Sequence, residues 1–232
     1  MRTRFNSFHW LLLLVLSLGF SGTVQAQARR TVLPQRFSAA VFFGLNAGQM
    51  DGDKHNGYNK LGPFGGLRGG ILLNRQSQVG LDLYYSRRGS RSDRNSNGSP
   101  LNMGQSLPVN ITLDYAQVGL NYNYLFAENY DDFFSWSFNI GLTYGRLLNS
   151  DVEEVMLLGG SNFEISQLED QFRRNALDLG FGFTYNFDEQ FGASLRHSVE
   201  LFPIYRNTGQ SEELINRLLQ YYLSLNLIYT FY

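Results

Sequence analysis

Apolar and polar residues alternate with a period of two along most of the chain beyond residue 36. The cleanest run is Tyr221 to Tyr232, YYLSLNLIYTFY, with an apolar or aromatic side chain at every second position. Alternation of this kind puts one set of side chains on each face of a strand. It predicts eight strands, near 37–49, 62–73, 77–89, 110–126, 133–148, 174–187, 191–206 and 220–232. Many are longer than the roughly five or six residues usual in soluble sheets.

The segments between them alternate long and short: 50–61, Asn74–Gln76, 90–109, Ala127–Asp132, 149–173, Asp188–Gln190 and 207–219. Long loops at one end and tight turns at the other are the rhythm of a barrel in a membrane, and each strand meets the ~9–11 residues that a tilted strand needs to cross hydrocarbon. The predicted fold is therefore all-β: an eight-stranded antiparallel up-and-down transmembrane β-barrel, with both ends of the chain on the short-turn side.

One face of the strands is greasy. Val41, Phe43 and Leu45, then Val79, Leu81, Leu83 and Tyr85, then Val118, Leu120, Tyr122 and Tyr124 share a parity. Later rows are richer, with Trp136, Phe138 and Ile140, then Leu179, Phe181 and Phe183, then Leu223, Leu225 and Leu227. The opposite face is mostly Gly, Ser, Thr and Asn, with Arg68, Asp82, Arg88, Asp178, Arg196 and Glu200 among them. A face meeting bulk water would carry lysine freely, yet the chain's lysines are Lys54 and Lys60, both in the first long segment. Three arginines and three carboxylates instead suit a packed polar lumen, with the charges paired across it and no wide pore left. Asp114 breaks the pattern by sharing a face with Val118 and Leu120, which requires either a place beyond the membrane or a bulge that resets the register.

Composition narrows the setting. Arg2 and Arg4 precede an uncharged run from Trp10 to Phe20 and then Val24-Gln25-Ala26, the pattern of a secretory signal peptide with cleavage after Ala26 or Ala28. The expected division is a signal peptide over 1–26, a periplasmic N-terminal segment over 27–36 and the barrel over 37–232, in the bacterial outer membrane. The chain has no cysteine, which rules out disulfides and thiolate metal sites. Its formal charge is −1, and loss of Arg2 and Arg4 moves it further from any electrostatic case for nucleic acid.

Several motifs invite chemistry and do not sustain it. His197 and Ser198 resemble the His-x-Ser pair of outer-membrane lipid A deacylases, but alternation needs the serine two residues on, where Val199 stands. Asp51 to Gly62 departs from a calcium loop at its two diagnostic places, Asn56 and Gly62. Gly65-Gly66-Leu67-Arg68-Gly69-Gly70 lacks the strand-to-helix context of a dinucleotide site, and its glycines make room for Arg68 and Tyr84. No cofactor, metal or catalytic residue is expected. Arg87, Arg88, Arg91 and Arg94 form a basic second loop that could meet a surface ligand, with Arg91 and Arg94 its foremost members. The third loop is acidic, with Asp151, Glu153, Glu154, Glu164, Glu169 and Asp170, so pairing between neighbouring loops is the plainer reading. Ser211 to Ile215, followed by Leu218 and Leu219, reads as a short helix.

Three segments resemble the PorT-like outer-membrane barrel family, which overlaps with the OmpX and OmpA type of small barrel. They are Val79-Gly80-Leu81-Asp82-Leu83-Tyr84-Tyr85-Ser86-Arg87-Arg88-Gly89, Ile111 to Leu120, and Leu195-Arg196-His197-Ser198 with Leu223 to Phe231. Gln117 and Gly119 stand where that family has Glu and Pro. The resemblance implies a barrel without enzymatic activity, and in the best-known member an accessory role in type IX protein secretion. Expected partners are outer-membrane lipid and lipopolysaccharide, the barrel-assembly machinery and secretion-system proteins. Two rival expectations are a lipid A-modifying enzyme, resting on His197 and Ser198, and a conduit for small hydrophobic molecules, resting on the aromatic strand ends.

Overall fold

A computed structural model describes residues 36–52, 57–91, 107–128, 133–155, 172–206 and 217–231. The leader, Asp53 to Asn56, Arg94, Glu164, Glu169, Asp170 and the Ser211–Ile215 segment lie outside the described residues. The strands are β1 (Phe37–Asp51), β2 (Lys60–Asn74), β3 (Ser77–Arg91), β4 (Leu107–Glu128), β5 (Phe134–Val155), β6 (Asn175–Asn186), β7 (Phe191–Glu200), β8 (Tyr205–Arg206) and β9 (Arg217–Phe231).

Eight of them, all antiparallel, run in the order β1-β2-β3-β4-β5-β6-β7-β9, and β9 pairs back onto β1 from Ala39↔Phe231 to Asp51↔Leu219. The sheet is closed, so none of these eight is an edge strand over the paired stretch. The two-residue β8 adds only to the start of β9. The short turns are shaped by side chains that accept backbone N–H bonds: Asn74 Oδ1 from Gln76 at 2.9 Å, and Asp188 Oδ1 from Gln190 and Phe191 at 2.7 and 2.6 Å.

Alternation delivers the predicted faces. Phe181 and Leu225 are 46% and 60% exposed, whereas Asp178 and Glu200, of opposite parity, are each 1% exposed. The apolar rows thus look outward and the charges inward, the reverse of a soluble barrel and the arrangement a hydrocarbon surround requires. Inward glycines leave room for large neighbours: a Cβ on Gly66 would run into Tyr84, and one on Gly80 would lie 3.6 Å from Arg68. Gly89 has a different duty. At φ +155° its missing Cβ would overlap the Ile111 carbonyl on β4.

Several boundaries differ from expectation. The seventh strand ends at Glu200, not 206, because Leu201 to Ile204 turns away through Pro203, which has no N–H to give a ladder. β4 and β5 run to 22 residues each, so Asp151, Glu153 and Glu154 belong to a strand and not to a loop. β9 begins at Arg217, which places Leu218 and Leu219 on a strand where a helix was expected. Asp114 is accounted for by its height. Asp114 and Tyr115 pair with Asn149 and Leu147, so the extra residue there is Leu148 in β5 and the parity of β4 is unbroken from Asn110 onward. Asp114 keeps the outward face beyond the apolar band, where Arg87 meets it at 2.7 Å.

Candidate functional site: the sealed lumen

Side chains fill the barrel in layers. Above a polar row next to the short turns, where Gln78 Nε2 donates to Ser38 Oγ at 2.9 Å, Arg68 is held by Asp82 through both forks, Nε to Oδ1 at 2.7 Å and Nη2 to Oδ2 at 2.8 Å. Asn121 Nδ2 donates to the same Asp82 Oδ2 at 2.7 Å, and its Oδ1 accepts from Arg196 Nη1 at 2.7 Å. One chain of bonds therefore joins β2, β3, β4 and β7. Two arginines share one carboxylate, with an amide as the relay. Phe42, Phe64 and Tyr84 pack beside it, and the Arg68 guanidinium lies 5.6 Å from the Phe42 ring centre. The inner face here is more aromatic than the sequence pattern implied.

The middle layer is built on Arg88, which is fully buried. Its Nη1 donates to Asp178 Oδ2 at 2.7 Å, and its guanidinium sits 4.1 and 4.8 Å from the ring centres of Tyr115 and Tyr222. Asp178 Oδ2 also accepts from Gln117 Nε2 at 3.1 Å and Tyr222 OH at 3.0 Å. Glu200 is the β-ladder partner of Asp178, yet both its oxygens lack a hydrogen bond among the described residues.

Above this, toward the long loops, the inner face turns apolar. Met50, Ile111, Leu113, Tyr115, Phe172, Ala176, Ile204, Tyr205 and Leu218 form one buried cluster, edged by Leu147 and Val152. It closes the lumen as a plug. The lumen cavity among the lower residues, lined by Phe42, Arg68, Tyr84, Arg196 and Tyr222 among others, measures about 30 Å³. By the usual requirement of roughly 10–15 Å³ per water, that is room for about two waters.

The six residues expected to form the lumen network all face inward, and four of them form two ion pairs, Arg68 with Asp82 and Arg88 with Asp178, partners that the sequence had not assigned. Arg196 and Glu200 do not pair with each other. Sequence reasoning missed Gln117, Asn121, Tyr115 and Tyr222, although each has the parity of its strand's inward set. It also missed the plug, whose signal was apolar residues on both parities of Ile111 to Leu120.

The basic cluster of the second loop is divided by the fold. Arg88 turns inward, and Arg87 goes to Asp114 on the outer wall, where Tyr85 OH also donates to Asp114 at 2.6 Å. Burial alone would raise the Asp114 carboxyl, but the bonds from Arg87 and Tyr85 outweigh it and hold the group below the ordinary carboxylate range. Arg91 is exposed at the end of β3, opposite Asn110. His197 and Ser198 lie on opposite faces. Ser198 is buried inside, while His197 is on the outer wall, 5.5 Å from Phe181 in ring centres and with Nε2 3.0 Å from Tyr58 OH.

The family model described as the outer membrane protein beta-barrel domain matches residues 12–211. The chain belongs to that family. This membership, with the closed barrel and its apolar exterior, puts the protein in the bacterial outer membrane. No curated protein matches the chain. Among solved structures it is similar to Ail, the attachment invasion locus protein of Yersinia pestis, in complex with the heparin analogue sucrose octasulfate, at 12% identity over 84% of this chain and 99% of that one, TM-score 0.44. It is also similar to Neisserial surface protein A, at 13% over 84% and 97%, TM-score 0.41. The outer membrane protein OprG from Pseudomonas aeruginosa aligns at 11% over 84% and 95%, TM-score 0.37.

Proposed function

We propose that this family member is a non-enzymatic outer-membrane barrel with a structural or interaction role at the cell surface, accessory to protein secretion in the manner of PorT-like proteins. The observation that carries the reading is the filled lumen. A network spanning four strands and an apolar plug fill it among the described residues, and the cavity beside Arg68 and Arg196 measures about 30 Å³, which fits a protein whose contacts are made by its surface and not through its interior. The paired β4 and β5 strands continue past the apolar band with Asp151 and Glu153 on them, and they supply the surface on which a partner would dock. The separation of His197 from Ser198 onto opposite faces argues against a lipid A-modifying enzyme.

The test is site-specific photocrosslinking in cells, with the crosslinker at Asp151 and at Arg91, joined to a comparison of secreted proteins between wild type and a deletion strain. The expected result is an adduct to an outer-membrane secretion component and a depleted secretome. An unchanged secretome with adducts to lipopolysaccharide alone overturns the secretion role, and ion-conductance steps in planar bilayers overturn the closed lumen.

A further inference from the structure

Of the three inward arginines, Arg68 and Arg88 each touch a carboxylate and Arg196 does not. Its Nη1 donates to the amide oxygen of Asn121, its Nη2 reaches the Gly141 carbonyl only at 3.5 Å, and its Nε is buried without a partner. The carboxylate of the same layer, Asp82, is already taken: Oδ1 accepts from Arg68 Nε, and Oδ2 from Arg68 Nη2 and Asn121. Two guanidiniums and one carboxylate leave the lower layer with one uncompensated positive charge. Glu200 stands four positions further along β7, roughly 13 Å away at about 3.3 Å per residue, and is no contact partner.

Beside Arg196 lies the lumen cavity of about 30 Å³. One of its walls is a patch of donors set by the register of β7 against β9, with Ser194 opposite Asn226, Arg196 opposite Ser224 and Ser198 opposite Tyr222. Ser194, Ser198 and Asn226 are 7%, 2% and 7% exposed, and none of them makes a side-chain hydrogen bond among the described residues. Buried polar groups are nearly always bonded, so three such side chains around one cavity mark a place built to hold something. The rest of the lining is largely aromatic, with Phe42, Phe64 and Tyr84, and brings no further cation or carboxylate beyond the paired Arg68 and Asp82.

We propose that the lower lumen binds a small monovalent anion, chloride in the ordinary medium, held by Arg196 and by the Ser194, Ser198 and Asn226 side chains. Charge and space choose the occupant. Water would satisfy the hydroxyls but leave the guanidinium charge unmatched in a low-dielectric interior, and a metal cation would add to that charge. Room for about two waters admits a monatomic ion and is too small for a phosphate or an organic acid. With the Arg68 network on one side and the apolar plug above, the ion is a fixed part of the barrel and not a permeating one. The site does not depend on any surface partner.

The test uses the full barrel in lipid vesicles, with urea unfolding read by heat-modifiable migration in sodium chloride, sodium bromide or sodium gluconate at equal ionic strength. Gluconate is too large for the cavity and serves as the reference. Chloride and bromide should lower the unfolding equilibrium constant saturably, by about tenfold once the halide stands at about ten times its dissociation constant. Arg196→Gln should abolish that dependence. If Arg196→Gln does not reach the folded form, the double variant Ser194→Ala with Ser198→Ala should raise the halide concentration at half-saturation several-fold. Equal midpoints in the three salts overturn the site. So does a halide dependence that survives Arg196→Gln, or a half-saturation that the double serine variant leaves in place.

Discussion

Arg68 and Arg88 both lie inside the barrel and both face an aspartate, but their surroundings differ. Arg68 spends two nitrogens on Asp82 and keeps 19% of its side chain accessible, whereas Arg88 gives one nitrogen to Asp178 and is wholly enclosed between two tyrosine rings. In the lower layer Asn121 relays between charges and Arg196 keeps one unspent donor, whereas the middle layer leaves several donors and acceptors unspent beneath a plug. What separates them is which donors the neighbouring strands supply: Asp82 takes both forks of Arg68 and one amide, whereas Asp178 takes single bonds from Arg88, Gln117 and Tyr222, all on one oxygen.

The largest effect should come from Asp178→Ala, which strands a fully buried Arg88 and should lower stability by about 3–5 kcal/mol. Urea unfolding in vesicles, read by heat-modifiable migration, checks it. Leu113→Ala in the plug should follow at about 2–5 kcal/mol, because it opens a cavity where Leu113 is fully buried, while Leu225→Ala on the lipid face opens none and should lose only the transfer of its hydrocarbon from water to lipid, about 2 kcal/mol. Asp82→Ala should cost less than Asp178→Ala, about 1.5–3 kcal/mol, because the partly accessible Arg68 can recover water. Equal losses for the two aspartates would erase the distinction between the layers.

The smallest effect concerns the ion pair outside the lumen. Arg87 is 43% accessible, so its bond to Asp114 should contribute no more than about 1 kcal/mol. Asp114 is held below its unfolded value in the fold, so the contribution is fully present above the ordinary carboxylate range and is lost as pH falls through the lowered folded value. Asp114→Asn should remove that acid-side loss, measured as the difference in urea midpoint between about pH 7 and about pH 3.

Much of this was legible in the chain. Period-two alternation fixed which side chains of β6, β7 and β9 look outward, and the short turns at Asn74 and Asp188 were readable from residues that cap their own backbone. The inward set of Arg68, Asp82, Arg88, Asp178, Arg196 and Glu200 was readable too, because parity is local. Pairing was not. Whether Arg196 reaches Glu200 or Asn121 depends on the shear between strands far apart in sequence, and Gly180, whose missing Cβ leaves the space that the Arg196 guanidinium fills, helps set that choice. The plug escaped notice because the apolar parity of β4 switches along the strand, from Ile111 and Leu113 at its loop end to Val118 and Leu120 below, which a fixed two-faced pattern cannot interpret.

Sequence by itself determined the architecture and its setting. Alternating rows, the long-and-short rhythm of connections and the scarcity of lysine leave few folds other than a closed barrel with its apolar side toward lipid. Only the tertiary structure decided that the barrel is sealed, where the ion pairs fall and which carboxylate is left without one. Face is set by each residue's own position along a strand, whereas partnership is set by closure and register, which bring β9 onto β1 and Glu200 beside Asp178 across the whole fold.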